Sequence, residues 1–237
     1  MLVTDKYSLT RKKLFLNIFL AKTSVSSANV QLIYHSVLSE LLHDKRRKFT
    51  FSETAYFWRW WKEQRAATRA TFRSLVAEGR IQFAGGGWVQ PDEATTDYLQ
   101  LLDLYTWGLR KLNDTLGPCG KPKAGWQIDT YGHTREHTSL LAQMGFDGLF
   151  IGRVDHKERE SMMDEGRMEF MWRGSDVLGK MSDIMTHTMF NLYNAPEGFC
   201  FDFLCNDEPV VDDPDSRVFN ADKLVSNDNI IKIITYI

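Results

Sequence analysis

At 237 residues the chain has room for one large domain or for part of one, and its apolar and charged fractions are those of an ordinary globular protein. A formal net charge of −2 supplies no basic surface, so neither nucleic acid nor an anionic membrane is expected as a partner. No apolar run reaches the roughly 20 residues that a membrane span needs.

The first 28 residues read as a segment apart. Arg11-Lys12-Lys13, a short apolar run from Leu14 to Ala21 and small residues from Ser24 to Ala28 have the order of a weak signal peptide. A bland amphipathic segment fits them equally well. From Asn29 to Leu42 the apolar positions Val30, Leu32, Ile33, Val37, Leu41 and Leu42 predict a helix with one buried face.

Lys48 to Glu53 alternates as a strand and ends on an acid. Ala55 to Glu78 predicts one long helix carrying Phe57, Trp58, Trp60, Trp61, Phe72, Leu75 and Val76, a stripe that suits a core better than a ligand cleft. Gly79 suits its end. Arg80 to Phe83 restarts a strand, and Gly85-Gly86-Gly87-Trp88 follows. Such a glycine run lets backbone pass close to another group. It carries no phosphate-loop or dinucleotide pattern. The acids Asp92 and Glu93 fit either the charge ahead of a helix from Tyr98 to Leu112 or a place beside substrate.

The stretch Lys123-Ala-Gly-Trp-Gln-Ile-Asp129-Thr-Tyr-Gly-His133-Thr-Arg-Glu-His137 reads as a strand ending on a carboxylate, then a turn, then a helix capped by Thr134 and closed by Gly145. Gly148 to Gly152 is the next strand, with Arg153 at its end. The units thus repeat strand, polar strand end and helix, which predicts a parallel α/β sheet, closed or open, with its polar ends on one rim. Asp129 and Arg153 lie about one βαβ step apart and are expected to face one pocket. After Trp172 the pattern weakens, and Asp183 to Met189 and Tyr193 to Pro196 read as an excursion loop. Asp207 to Asp215 is an acidic, solvated run. The tail Asn229 to Ile237 has no terminator and reads as cut inside an element.

Three chemistries compete at the central stretch. His133-Thr-Arg-Glu136-His137 matches the H-x-x-E-H zinc peptidase pattern, but such a pair belongs inside a long helix and His133 lies in the Gly132 turn. A glycosidase needs two carboxyl groups, one to attack or activate water and one to protonate the leaving oxygen; Asp129 suits the first role. A carboxylate that merely caps its own turn is the third reading. The three cysteines, Cys119, Cys200 and Cys205, form no complete disulfide framework. Cys200 and Cys205 either close a short loop in an oxidising compartment or remain thiols. Asn113-Asp-Thr115 is a glycosylation sequon for a secreted chain.

Three segments decide among these. They are Ala84-Gly-Gly-Gly-Trp-Val-Gln-Pro-Asp-Glu-Ala94, Gly125-Trp-Gln-Ile-Asp-Thr-Tyr-Gly-His-Thr-Arg-Glu136 and Gln143-Met-Gly-Phe-Asp-Gly-Leu-Phe-Ile-Gly-Arg153. Together they resemble glycoside hydrolase family 38, in particular its lysosomal-type α-mannosidases. The resemblance runs from residue 29 to residue 224, leaving 1–28 and 225–237 as divergent ends. It implies an incomplete, parallel-stranded (β/α) barrel-like glycosidase domain. It implies retaining, zinc-dependent removal of α-linked mannose from N-glycans in the lysosome or secretory pathway. Asp129 would be nucleophile and zinc ligand, and Arg153, Tyr131 and Tyr193 would bind substrate. Cys200 and Cys205 match a short disulfide loop of the lysosomal branch. The family's His-x-His-Asp-Asp zinc motif, its Asp-Phe-x-Tyr general-acid segment and its last His ligand have no counterpart in this sequence. The expectation is therefore a portion of an α-mannosidase with little or no activity alone, or an inactive glycan-binding domain.

Overall fold

The computed structural model describes residues 30–194 and the isolated positions 215 and 217. The leader-like segment, the Cys200–Cys205 pair and the apolar tail lie outside the described residues, as does the acidic run apart from Asp215. The described chain falls into two compact units. Residues 48–193 form one, and the residues up to Arg47 belong to the other.

In the second unit, α1 (Val30–His43) buries Ile33, Tyr34, Val37, Leu38 and Leu41. Their spacing of three and four residues is the stripe that the sequence pattern predicts. Arg47, just past the helix, forms an ion pair with Glu40.

The first unit opens with β1 (Phe49–Ser52), α2 (Thr54–Lys62), α3 (Ala66–Ala77) and β2 (Ile81–Ala84). The long helix expected from Ala55 to Glu78 is thus two helices, broken where Arg65 takes an extended conformation. Side chains satisfy the carbonyls that the break leaves open: Gln64 Nε2 donates to Trp60 O at 2.9 Å, and Arg69 Nε and Nη2 donate to Trp61 O and Lys62 O. The bend brings Phe57, Trp60 and Phe72, all fully buried, together against Phe51 and Phe83 of the strands. The aromatic stripe is core.

Next come α4 (Tyr98–Leu116), β3 (Ala124–Gln127), α5 (Arg135–Gln143), β4 (Gly148–Ile151), α6 (His156–Asp164), β5 (Glu169–Arg173) and β6 (Asp183–Thr188). A capping box between Asp97 and Gln100 starts α4. The helix can lie on the glycine loop because it carries Gly108 there, where a Cβ would fall 2.1 Å from the Gly86 carbonyl oxygen.

β1 and β2 pair in parallel, and a bond from Gly85 N–H to Ala124 O brings the end of β2 to the start of β3. The second sheet has the order β3-β4-β6-β5. β3, β4 and β6 are parallel, with Gln127 opposite Ile151 and Ile151 opposite Thr188. Tyr105, Leu141, Phe146, Leu149, Ile151 and Ile184 form the core behind it.

Two expectations are corrected here. The stretch from Asp183 to Met189 is no excursion loop: β6 lies inside the sheet and buries Ile184, Thr186 and Thr188 in alternation. The sheet is not purely parallel either, because β5 runs antiparallel to β6. The connection from Gly174 to Ser182 is too short for a crossover helix, so the chain doubles back instead. Among the described residues no pairing joins β5 to β1. The architecture on view is a mixed α/β sheet, and the closed barrel is not seen in it.

Candidate active site

The site begins with the ends of β3 and β4. Their parallel register sets Gln127 beside Ile151, and Gly152 N–H extends the ladder to Gln127 O at 3.1 Å. The chains then close up further than any side chain allows: a Cβ on Gly152 would fall 2.3 Å from the carbonyl oxygen of Ile128. The residues that follow these two positions are Asp129 and Arg153.

Arg153 Nε donates to Asp129 Oδ1 at 2.6 Å, and Tyr193 Oη donates to the same oxygen at 3.0 Å. Arg153 Nη2 also reaches Tyr193 Oη, at 3.2 Å. The guanidinium lies 5.0 Å from the centroid of Tyr131, a cation–π contact that leaves the tyrosine 73% exposed. The carboxylate and guanidinium side chains are 31% and 39% exposed, so the pair faces solvent at the rim. Burial raises the Tyr193 hydroxyl pKa first, and the hydrogen bond to Asp129 raises it further. The structure thus gathers Asp129, Arg153, Tyr131 and Tyr193, although they come from three separate strand ends.

Glu93 takes neither role weighed for it. Asp97 caps α4, and Asp92 caps its own turn through Ala94 N–H. Glu93 is buried behind the rim, with its side chain 2% exposed. Oε2 is 3.0 Å from His133 Nδ1 and accepts from Gln127 Nε2 at 3.1 Å. Oε1 accepts from Thr134 N–H at 3.0 Å and lies 2.9 Å from His137 Nδ1. Burial works to raise this carboxyl, but the hydrogen bonds from His133 and Thr134 and the nearby His137 imidazole outweigh it and lower its pKa to about 2.

The far side of each imidazole is also engaged. His133 Nε2 is 2.7 Å from the Arg153 carbonyl oxygen, and His137 Nε2 is 2.8 Å from Tyr105 Oη. A carbonyl can only accept, so His133 Nε2 carries a proton. Its Nδ1 faces an ionised carboxylate, so that nitrogen carries one too, and the ring is an imidazolium. Burial pulls the His133 pKa down, but the Glu93 carboxylate and the Arg153 carbonyl more than reverse this. Burial and the charge of Glu93 keep Tyr105 neutral.

This geometry disposes of the H-x-x-E-H reading. All four ring nitrogens of His133 and His137 face protein oxygens, and both rings turn toward Glu93. The sequence missed the cluster because it showed His133 and His137 only as a match to a metal-binding pattern. The signal that could have found them was Glu93, an acid 40 residues earlier at another strand end. Glu53, the remaining strand-end acid, takes a left-handed backbone (φ 62°) and accepts from Gln90 N–H at 3.3 Å.

A catalytic zinc needs about three protein ligands. The described residues bring together no group of three His, Cys, Asp or Glu placed for a metal. Asp129 belongs to no such group among the described residues.

A strand-end carboxylate beside a guanidinium and two phenols on an α/β scaffold suits one of the two carboxyl roles that glycosidic cleavage needs. Residues 17–232 match the glycosyl hydrolases family 38 N-terminal domain, and the chain belongs to that family. It is 48% identical over 205 residues to the lysosomal alpha-mannosidase of Mus musculus, a match covering 86% of this chain and 20% of that protein. It is 38% identical over 204 residues to the alpha-mannosidase of Canavalia ensiformis, covering 86% and 21%. The chain therefore spans about a fifth of the length of these relatives. An alpha-mannosidase crystal structure from Enterococcus faecalis V583 superposes with a TM-score of 0.52 over 69% of this chain and 18% of that one. At 15% identity this is a likeness of fold alone.

Proposed function

We propose that this chain is the nucleophile-bearing portion of a retaining α-mannosidase that removes terminal α-linked mannose from N-glycans in the lysosome or secretory pathway. The observation that carries the reading is the Asp129 carboxylate, held at a rim by Arg153 and Tyr193 inside a family 38 domain.

In the proposed reaction, an Asp129 oxygen attacks the anomeric carbon while the glycosidic C–O bond breaks. The departing oxygen takes its proton from a general acid outside the described residues. Water then opens the mannosyl ester and restores the carboxylate. Arg153 and Tyr193, both bonded to Oδ1, hold the Asp129 carboxylate aimed before attack. Tyr131 offers an exposed aromatic face beside the carboxylate for the sugar ring. Zinc is the proposed cofactor of the assembled site, with Asp129 as the ligand contributed by this segment, and it would supply a grip on sugar hydroxyls.

Alone, the chain is expected to hydrolyse α-mannosides weakly or not at all. The second reading, an inactive glycan-binding domain, is favoured by the described residues, which bring together no metal-ligand set. A chimera separates the two. Residues 17–232 would replace the matching segment of the mouse lysosomal enzyme, and release from an aryl α-mannoside would be followed with zinc present. The enzymatic reading expects turnover that Asp129→Asn lowers by at least about 10⁴-fold. Binding of mannosides without turnover would establish the second reading, and turnover untouched by Asp129→Asn would remove Asp129 from the chemistry.

A further inference from the structure

We propose that Glu93 is a positioning residue for the rim pair, acting through His133 on Arg153 and so on Asp129. The inference rests on the reading of Asp129 as the reacting carboxylate. Its physical content, a mechanical link from a buried carboxylate to the rim, is testable separately.

The link is continuous. Glu93 Oε2 meets His133 Nδ1 at 3.0 Å, and His133 Nε2 meets the Arg153 carbonyl at 2.7 Å. Arg153 Nε meets Asp129 Oδ1 at 2.6 Å. Each member is held from more than one side. Glu93 is also bonded to Gln127 of β3 and to Thr134, which caps α5. It therefore ties the loop after β2 to both ends of the turn that carries Asp129. Thr130 Oγ1, next to Asp129, stands 3.4 Å from His133 Nδ1.

Arg153 stands past the end of β4, and its carbonyl oxygen is met by His133 Nε2 at 2.7 Å. Because its ring is held between two acceptors it is charged, and a charge-assisted bond grips the Arg153 main chain more firmly than a neutral one. Displacement of the main chain at Arg153 would carry the guanidinium off Asp129. A site held within about half an ångström needs such support behind its reacting groups. Glu93 touches no reacting atom, so its role is positioning.

The test uses the whole chain and nuclear magnetic resonance of the Arg153 Nε–H. In the wild type this proton is hydrogen-bonded to Asp129 Oδ1, so it is expected to exchange more slowly than that of a solvated arginine. Glu93→Gln keeps the shape of the side chain but removes the ionised partner of His133. His133→Gln leaves Glu93 bonded to Thr134 and Gln127 but breaks the link to Arg153. With a cooperative melt retained, both variants are expected to speed exchange of the Arg153 Nε–H by about tenfold or more and to shift its resonance toward that of a solvated arginine. An unchanged Arg153 signal in either folded variant overturns the proposal. Loss of the cooperative melt in both also overturns it, since the network would then serve folding and not placement. Neither readout requires turnover, so a chain that moves Arg153 as expected yet fails the chimera assay would leave this link standing and remove only the mannosidase reading.

Discussion

Arg153 Nε lies 2.6 Å from Asp129 Oδ1, across 24 residues of chain and from a neighbouring parallel strand. About a third of each side chain is in water, so the pair adds little to stability, under about 1 kcal/mol. Arg153→Ala should accordingly shift the melting temperature of the chain by only a few degrees. In the chimera it should lower kcat far more than it raises KM, because it leaves Asp129 without its charged neighbour. A large drop in melting temperature would instead make Arg153 a structural residue.

The buried carboxylate behind that pair makes stability depend on pH, with a definite sign. Glu93 has its folded pKa lowered from 4.5 to about 2, so its contribution is complete above 4.5 and fades as pH falls toward 2. His133 has its folded pKa raised above 6.5, so its contribution is complete below 6.5 and fades as pH rises through the folded value. Both contributions are whole between 4.5 and 6.5. Thermal melts across pH should show the largest gap between wild type and Glu93→Gln inside that interval. A gap that keeps the same size at all pH values would mean the network carries no net charge interaction.

Gly152 sets how closely the two strand ends approach. Gly152→Ala puts a methyl group 2.3 Å from the Ile128 carbonyl oxygen, and that oxygen belongs to backbone that cannot swing aside. The expected cost is about 1–3 kcal/mol, as for other overpacked sites. The strand ends should part, and the Arg153 Nε–H should lose its protection. Chemical denaturation together with the Arg153 resonance measures both effects; a variant as stable as wild type would show that the ends are free to slide.

Zinc retention tests the metal assignment. Among the described residues no three His, Cys, Asp or Glu are grouped to hold a metal. After dialysis against zinc-free buffer the chain should hold well under one zinc per molecule by elemental analysis. A full equivalent, lost on Asp129→Asn, would place further ligands in this chain.

Much of this was written locally. The helix start at Thr134, the turns at Gly79 and Gly145 and the strand ends at Asp129 and Arg153 depend on capping, left-handed glycine and apolar runs, all of which act over a few residues. The family, too, was legible from three motifs. The break at Arg65 was not, because Trp60, Trp61 and Phe72 keep helical spacing across it while their packing against Phe51 and Phe83 dictates the bend. β6 was hidden because its buried residues include Thr186 and Thr188, whose hydroxyls read as surface until neighbouring strands cover them.

The sequence alone thus determined the strand–helix units up to β4, the residues Asp129 and Arg153 at two strand ends and the family to which the chain belongs, since these follow from short-range preferences and motif order. Tertiary structure alone decided which of those ends meet. Glu93, His133 and His137 look in one dimension like a loop acid and a metal-binding pair. In three dimensions parallel register and the bare Cα of Gly152 bring Asp129 against Arg153, and burial turns both imidazoles onto one carboxylate, because a charge shut away from water must be met by the nearest donors.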